Sequence, residues 1–200
     1  MLMRVGLTGN IGSGKSAVAE LFQLVGIPVI NLDAIGKALK FDKKTTIRIK
    51  ELLGSQSVSQ KMLNRPIVRE VVFKSSSKRK KLEQILHPLI FQEYERTASL
   101  LEVAGKPLII CEAALIFESQ LNKILDKIIV VAASEGLRFE RLRVRDEMSS
   151  REFNRISNSQ MSQSKKLKKA DYIIDNSGTL EELKPQVNSL INRWHNEGII

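Results

Sequence analysis

Eight residues near the start of the chain, Gly9-Asn10-Ile11-Gly12-Ser13-Gly14-Lys15-Ser16, fit the spacing G-x-x-x-x-G-K-[ST], and each residue type meets a need of phosphate chemistry. The glycines let the backbone curl until successive N–H groups converge on one anion, and a helix starting at the loop adds its positive end. Lys15 is placed to neutralise charge between the β- and γ-phosphates of ATP, and the Ser16 hydroxyl to ligate Mg²⁺. A plain glycine turn between strand and helix explains Gly9 and Gly14 but not the Lys15-Ser16 pair.

Phosphoryl transfer spreads negative charge over the moving group, so catalysis rests on positioning and on cations held in a water-poor site. Two further features supply such groups. Asp33 ends the apolar run "IPVINLD", where a carboxylate serves as general base to an acceptor hydroxyl, holds Mg²⁺ through water, or caps the next helix. Arg138, Arg141 and Arg145 recur at i, i+3 and i+7 and share one helical face. Arg141 and Arg145, next to a polar and lid-like stretch, are the pair expected to face phosphates. The guanine-reading pattern N-K-x-D is missing, because Asp126 follows Asn122 and Lys123 one position late, and no apolar strand ends in a D-E pair. These absences favour a small-molecule kinase over a GTPase or a motor ATPase.

The elements that must position these groups alternate along the chain. "RVGLT" reads as a strand entering Gly9, and "KSAVAELFQLVG" as a helix carrying Val18, Leu21, Phe22 and Val25 and stopping at Gly26. "IPVINLD", "KPLIICEA", "DKIIVVAAS" and "ADYIIDNSG" complete the strands. Apolar strands separated by helices predict a parallel sheet covered on both faces. A Lys-rich, helix-like block with no comparable β-rich run fills about 34–104, between the second and third strands, as an inserted substrate module. A polar, basic segment from Arg138 to Lys169 precedes the last strand, and the closing amphipathic helix is expected to break near Pro185.

Composition narrows the class further. The chain has 200 residues, 42% hydrophobic and 27% charged, as expected for one globular domain with a sizeable core. Its net charge of +10 raises affinity for polyanions, but the basic residues are scattered apart from "KRKK" and "KKLKK", and aromatics are only 5%, too few for base stacking. Attraction of a small polyphosphate is favoured over nucleic acid. Cys111 is the single cysteine and reads as a small core residue in a reducing compartment. With no secretory signal and no apolar run of the roughly 18 residues a membrane span needs, a cytoplasmic protein with no membrane partner is expected, and a monomer.

At several separated segments the chain resembles the dephospho-CoA kinases: "GLTGNIGSGKS", "VINLDAIGK", "LNRPIVREVVF", "LEQILHPLI", "LIFE", "RLRVRD", "RISNSQ" and "ADYIIDNSG". The resemblance implies an α/β P-loop core like that of adenylate kinase, with five parallel strands and helices on both faces, over about 1–33 and 105–200. It implies a helical module for the CoA precursor over about 34–104 and a lid over about 146–169. It further implies transfer of a phosphoryl group from ATP to the ribose 3′-hydroxyl of dephospho-CoA. Carried onto this chain, it places ATP phosphates on Gly12, Ser13, Gly14, Lys15, Ser16 and the Ala17 backbone, within the loop that opens with Gly9, Asn10 and Ile11. Asp33 matches the carboxylate beside the acceptor hydroxyl, and Arg65 and His87 match positions in the substrate module. For His87, setting a helix that begins at Pro88 is the competing role. The chain departs from the family pattern at Asn10, where Gly is usual, and at Ala17, where Thr is usual. It departs again at Asn31 and Asn64, where Asp is usual, and at Glu112-Ala113-Ala114 in place of D-x-P.

Overall fold

The computed structural model describes residues 2–200. β1 (Met3–Thr8) leads into α1 (Lys15–Leu24), followed by β2 (Val29–Asn31), α2 (Leu32–Ala38) and α3 (Lys43–Leu53). A hairpin of β3 (Val58–Ser59) and β4 (Met62–Leu63) precedes α4 (Arg65–Lys74) and α5 (Ser76–Val103). β5 (Leu108–Glu112), β6 (Lys127–Ala132), α6 (Glu135–Asp146), α7 (Ser150–Ser159), α8 (Gln163–Leu167), β7 (Tyr172–Asp175) and α9 (Leu180–Asn196) complete the chain. Two compact units divide it: one of residues 1–31 with 100–200, the other of residues 32–99.

The first unit is a five-stranded sheet in the order β2-β5-β1-β6-β7, every pairing parallel. Alternation along the strands explains its depth. Val5, Leu7, Leu108, Ile110, Ile129, Val131 and Ile174 join one core with Val18, Ala19 and Phe22 of α1 and Leu183, Val187, Leu190, Ile191 and Trp194 of α9. The intervening Ile109, Cys111, Ile128 and Val130 are equally buried and point to the other face, so both faces are covered. Trp194 stacks on Phe22 with ring centroids 5.6 Å apart and meets the edge of Tyr172 at 5.9 Å.

α9 is continuous through Pro185, contrary to the expected break. Pro185 removes only the hydrogen bond to the Glu181 carbonyl, in the second turn. The end is held instead by a capping box between Thr179 and Glu182. Below it, the Gln186 side chain donates to the Asp175 and Glu182 carbonyls.

The second unit contains most of the helical block, with Phe41, Ile49, Leu53, Val58, Val68, Leu82 and Ile85 as its core. It also contains the short β3–β4 hairpin, which too few residues encode for a periodic signal to show. Gln60 and Lys61 turn it with φ of 48° and 62°. α5 passes straight through Pro88, so no helix begins there and His87 sits exposed in mid-helix. The lost bond to the Gln84 carbonyl is offset by burial of Leu82 and Ile85 before Pro88 and of Tyr94 and Ala98 after it.

The stretch expected as a lid comprises α7 and α8, and its later part is pinned. Lys166, fully buried, donates to the Ala114 carbonyl at 2.9 Å and pairs with Glu118 at 3.1 Å. Glu118 also accepts from the Met161 N–H at 2.7 Å. Removing the ammonium leaves a carboxylate in a site built for a pair, and the 21% exposure of Glu118 puts the cost at the low end for broken buried pairs. Lys166→Ala is expected to lower unfolding free energy by about 3 kcal/mol in urea titrations.

Candidate active site

β1 ends at Thr8, and the next residues turn back into α1 through left-handed glycines, with φ of +78° at Gly12 and +86° at Gly14. Neither position admits a side chain. A Cβ on Gly12 would lie 2.5 Å from the Arg138 carbonyl oxygen, and one on Gly14 would collide with the Asn176 amide. Gly14 is also the N-cap of α1, and it supplies no side-chain acceptor; the first turn carries no acidic residue either. α6, α7 and α9 are by contrast capped by Ser134, Ser149 and Thr179. The positive end of α1 is therefore open to an anion. Lys15 folds over the loop and donates to the Gly9 carbonyl at 3.0 Å.

Around this open end, groups from four elements converge. From β5, Glu112 is buried, with one carboxylate oxygen accepting from the Ser16 hydroxyl at 3.1 Å and the other from the Asn31 amide of β2 at 2.6 Å. After β7, the Asn176 amide donates to the Ser13 carbonyl at 2.9 Å. From α6, Arg141 reaches toward Gly14, and its Nη1 is buried with no hydrogen-bond partner while Nη2 donates weakly to Gly178. A buried cationic donor without a partner calls for an explanation, and an anion on the loop supplies one.

The loop's outer side is gripped by contacts that no spacing pattern indicates. The Gln160 side chain accepts from the Ile11 N–H at 2.9 Å, so that amide faces away from any ligand. The Asn10 amide donates to the Met161 carbonyl at 3.0 Å, and Arg138 donates to the Ile11 carbonyl at 3.2 Å. Arg138 is 3% exposed, and burial pulls its guanidinium below the usual arginine range, opposed by Glu135. The shared helical face of the three arginines resolves into distinct environments. Arg138 is inside, Arg141 is half-buried at the loop, and Arg145 is exposed and paired with Asp146 at 2.6 Å. Helical spacing reports a common direction, not what stands in it.

The second unit holds Asp33, Arg65 and His87, all exposed. Asp33 lies in the first turn of α2 and Arg65 begins α4.

Mg²⁺ prefers hard oxygen ligands, usually one or two carboxylates plus phosphate oxygens and waters. The buried Glu112 carboxylate beside the Ser16 hydroxyl suits that preference, and Asn31 orients the carboxylate from behind. In the sequence, Glu112 stands out only as a departure from D-x-P. The signal available was its place at the end of a fully buried strand, parallel to β1.

An open sheet of parallel strands with this loop at the end of its central strand defines a P-loop nucleotide-binding protein. The sequence pattern of the dephospho-CoA kinase family matches residues 3–182. A dephospho-CoA kinase of Bacillus cereus is 34% identical over 197 residues, 98% of each chain. The crystal structure of TT1252 from Thermus thermophilus superposes with a TM-score of 0.83 at 31% identity, covering 96% of this chain and 97% of that one. Dephospho-CoA kinase from Campylobacter jejuni gives 0.73 at 25% identity over the whole of both chains. The chain belongs to the dephospho-CoA kinase family.

Glu112→Gln keeps shape and hydrogen-bonding capacity but removes the charge. The expected result is Mg²⁺ activation weakened about 10–100-fold with an unchanged melting temperature, read from turnover against Mg²⁺ concentration.

Proposed function

We propose that this chain transfers the γ-phosphoryl group of ATP to the ribose 3′-hydroxyl of dephospho-CoA, giving CoA and ADP, the last step of coenzyme A synthesis. The observation that carries the reading is an open, anion-ready α1 terminus in a chain that matches one kinase family from residue 3 to residue 182.

In this reading the acceptor oxygen attacks the γ-phosphorus, the bond from that phosphorus to the bridging oxygen breaks, and ADP leaves with the bridging electrons. The phosphates sit on the loop from Gly12 to Ala17, with the N–H groups of Gly12, Gly14, Lys15 and Ser16 as donors, since those of Ser13 and Ala17 donate to the Asn10 and Gly14 carbonyls. Lys15 releases the Gly9 carbonyl and follows charge at the β/γ bridge, and Arg141 meets charge on the transferring group. Ser16 and Glu112 would hold Mg²⁺, which when bound would offset negative charge on the phosphates. Asp33 takes the proton of the acceptor hydroxyl, supported by its place just beyond a strand end, where ligands of parallel α/β sheets gather. Arg65 and His87 serve the acceptor side. Arg145 joins the phosphates only after leaving Asp146, at the start of the segment of about 146–169 read as a lid. No helix among the described residues is long and apolar enough to cross a membrane.

The deciding experiment is an acceptor screen with Mg-ATP and dephospho-CoA, AMP, shikimate or pantothenate, following ADP release and product mass. Only dephospho-CoA is expected to gain a phosphoryl group; equal turnover of another acceptor rejects the assignment. Lys15→Ala should cost roughly 2.7–4 kcal/mol of transition-state stabilisation, about 10²–10³ in turnover, in a folded protein. Asp33→Asn should lose turnover on a similar scale while ATP binding and melting temperature hold. Near-normal turnover in that variant removes Asp33 from the chemistry.

A further inference from the structure

The two peptides flanking Ile11 are almost fully engaged by the protein itself. In the first, the Asn10 carbonyl accepts from the Ser13 N–H at 3.0 Å and the Ile11 N–H donates to Gln160 at 2.9 Å. In the second, the Ile11 carbonyl accepts from Arg138 at 3.2 Å. A trans peptide is planar and its C=O and N–H point in opposite directions. Arg138, by holding the Ile11 carbonyl on the outer side, therefore turns the Gly12 N–H to the opposite side, the concave side of the loop. Gly12 is left-handed, and the Arg138 carbonyl occupies the space a Cβ would need there.

The arrangement is costly for Arg138 as a structural residue. Its guanidinium is buried, its Nε has no hydrogen-bond partner, and its ion pair with Glu135 spans 3.5 Å to a carboxylate 70% exposed. Desolvating a cation with so little compensation is unfavourable, and a well-packed apolar side chain would serve a core better. What only a guanidinium of this reach supplies is a charged donor to the Ile11 carbonyl together with a flat face against Phe153 of α7, 5.5 Å from the ring centroid.

We propose that Arg138 is a positioning residue for phosphate binding: it presets the Gly12 N–H toward the bound nucleotide's phosphates and is itself steadied by Phe153. The proposal rests on the P-loop reading of the Gly9–Ser16 segment. It assigns to Arg138 no contact with substrate. Its effect should appear in the affinity for the phosphate chain of a nucleotide and not in affinity for the nucleoside or the acceptor.

The test compares the full-length chain with Arg138→Met, which retains the long stem but no donor, and Arg138→Lys, which retains one charged donor. Calorimetric affinities for ADP and for adenosine are measured beside melting temperatures and the KM values for ATP and dephospho-CoA. Loss of one preset donor to a charged ligand should weaken ADP binding and raise the ATP KM about 10-fold in Arg138→Met. Adenosine affinity and the dephospho-CoA KM should stay within about 2-fold, the precision expected of an indirect effect. Arg138→Lys, which keeps a charged donor but not the flat face against Phe153, should recover part of the ADP affinity. Equal weakening of ADP and adenosine, unchanged ADP binding in a folded Arg138→Met, a fall in kcat and melting temperature at constant ATP KM, or no recovery by Lys overturns the proposal. If the unaltered chain fails to bind ADP, the P-loop reading falls and this proposal with it; if only the Arg138 outcome fails, that reading stands.

Discussion

The rest of the structure is organised by one unfilled requirement, the hydrogen-bonding demand of the α1 N-terminus. A helix start leaves backbone N–H groups without intrahelical partners, and most helices answer with a side-chain cap. α1 answers with Gly14, which has none, and places that start at the end of the central strand of a parallel sheet. Keeping the terminus open demands rigidity elsewhere. The buried faces of α1 and α9 with the sheet residues between them supply it, because a close-packed interior transmits position without slack.

The buried carboxylate beside that terminus is not left alone, whereas the Arg141 guanidinium keeps a donor free for an anion. A buried carboxylate is tolerated when hydrogen-bonded, and Glu112 has the Ser16 hydroxyl on one oxygen and the Asn31 amide on the other. The amide at position 31 is informative. A second carboxylate there would repel Glu112 across a contact of 2.6 Å, whereas an amide N–H attracts it. The departures at Asn31 and Glu112 thus read as one arrangement: the carboxylate sits on β5 and its support sits on β2.

A second arrangement ties the polar segment after α7 to the loop. Gln160 and the Met161 carbonyl hold Ile11 and Asn10, while Lys166 and Glu118 hold the segment itself. Asn10 takes part through its side chain, which a glycine in that place would lack. Within the stretch 146–169, then, Phe153 of α7 packs against α6 at one end, and Lys166 with Glu118 ties down the other.

The sequence by itself determined the phosphate loop, since the spacing of Gly9, Gly14, Lys15 and Ser16 is local and its physics is complete within one turn of chain. It pointed to the parallel sheet as well, because short β-branched apolar runs such as "LIICE" and "KIIVVA" alternate with helical segments, as strands buried on both faces do. Proline positions misled where local rules compete with tertiary burial: α5 and α9 run through Pro88 and Pro185 because flanking side chains bury enough surface to offset one missing hydrogen bond. Only the tertiary structure decided the roles of Glu112, Arg138, Gln160 and Lys166. Each acts through a partner far away in the chain, such as Ser16 or Ile11, and a periodic pattern records which way a side chain points along its own element, not which distant backbone group it meets.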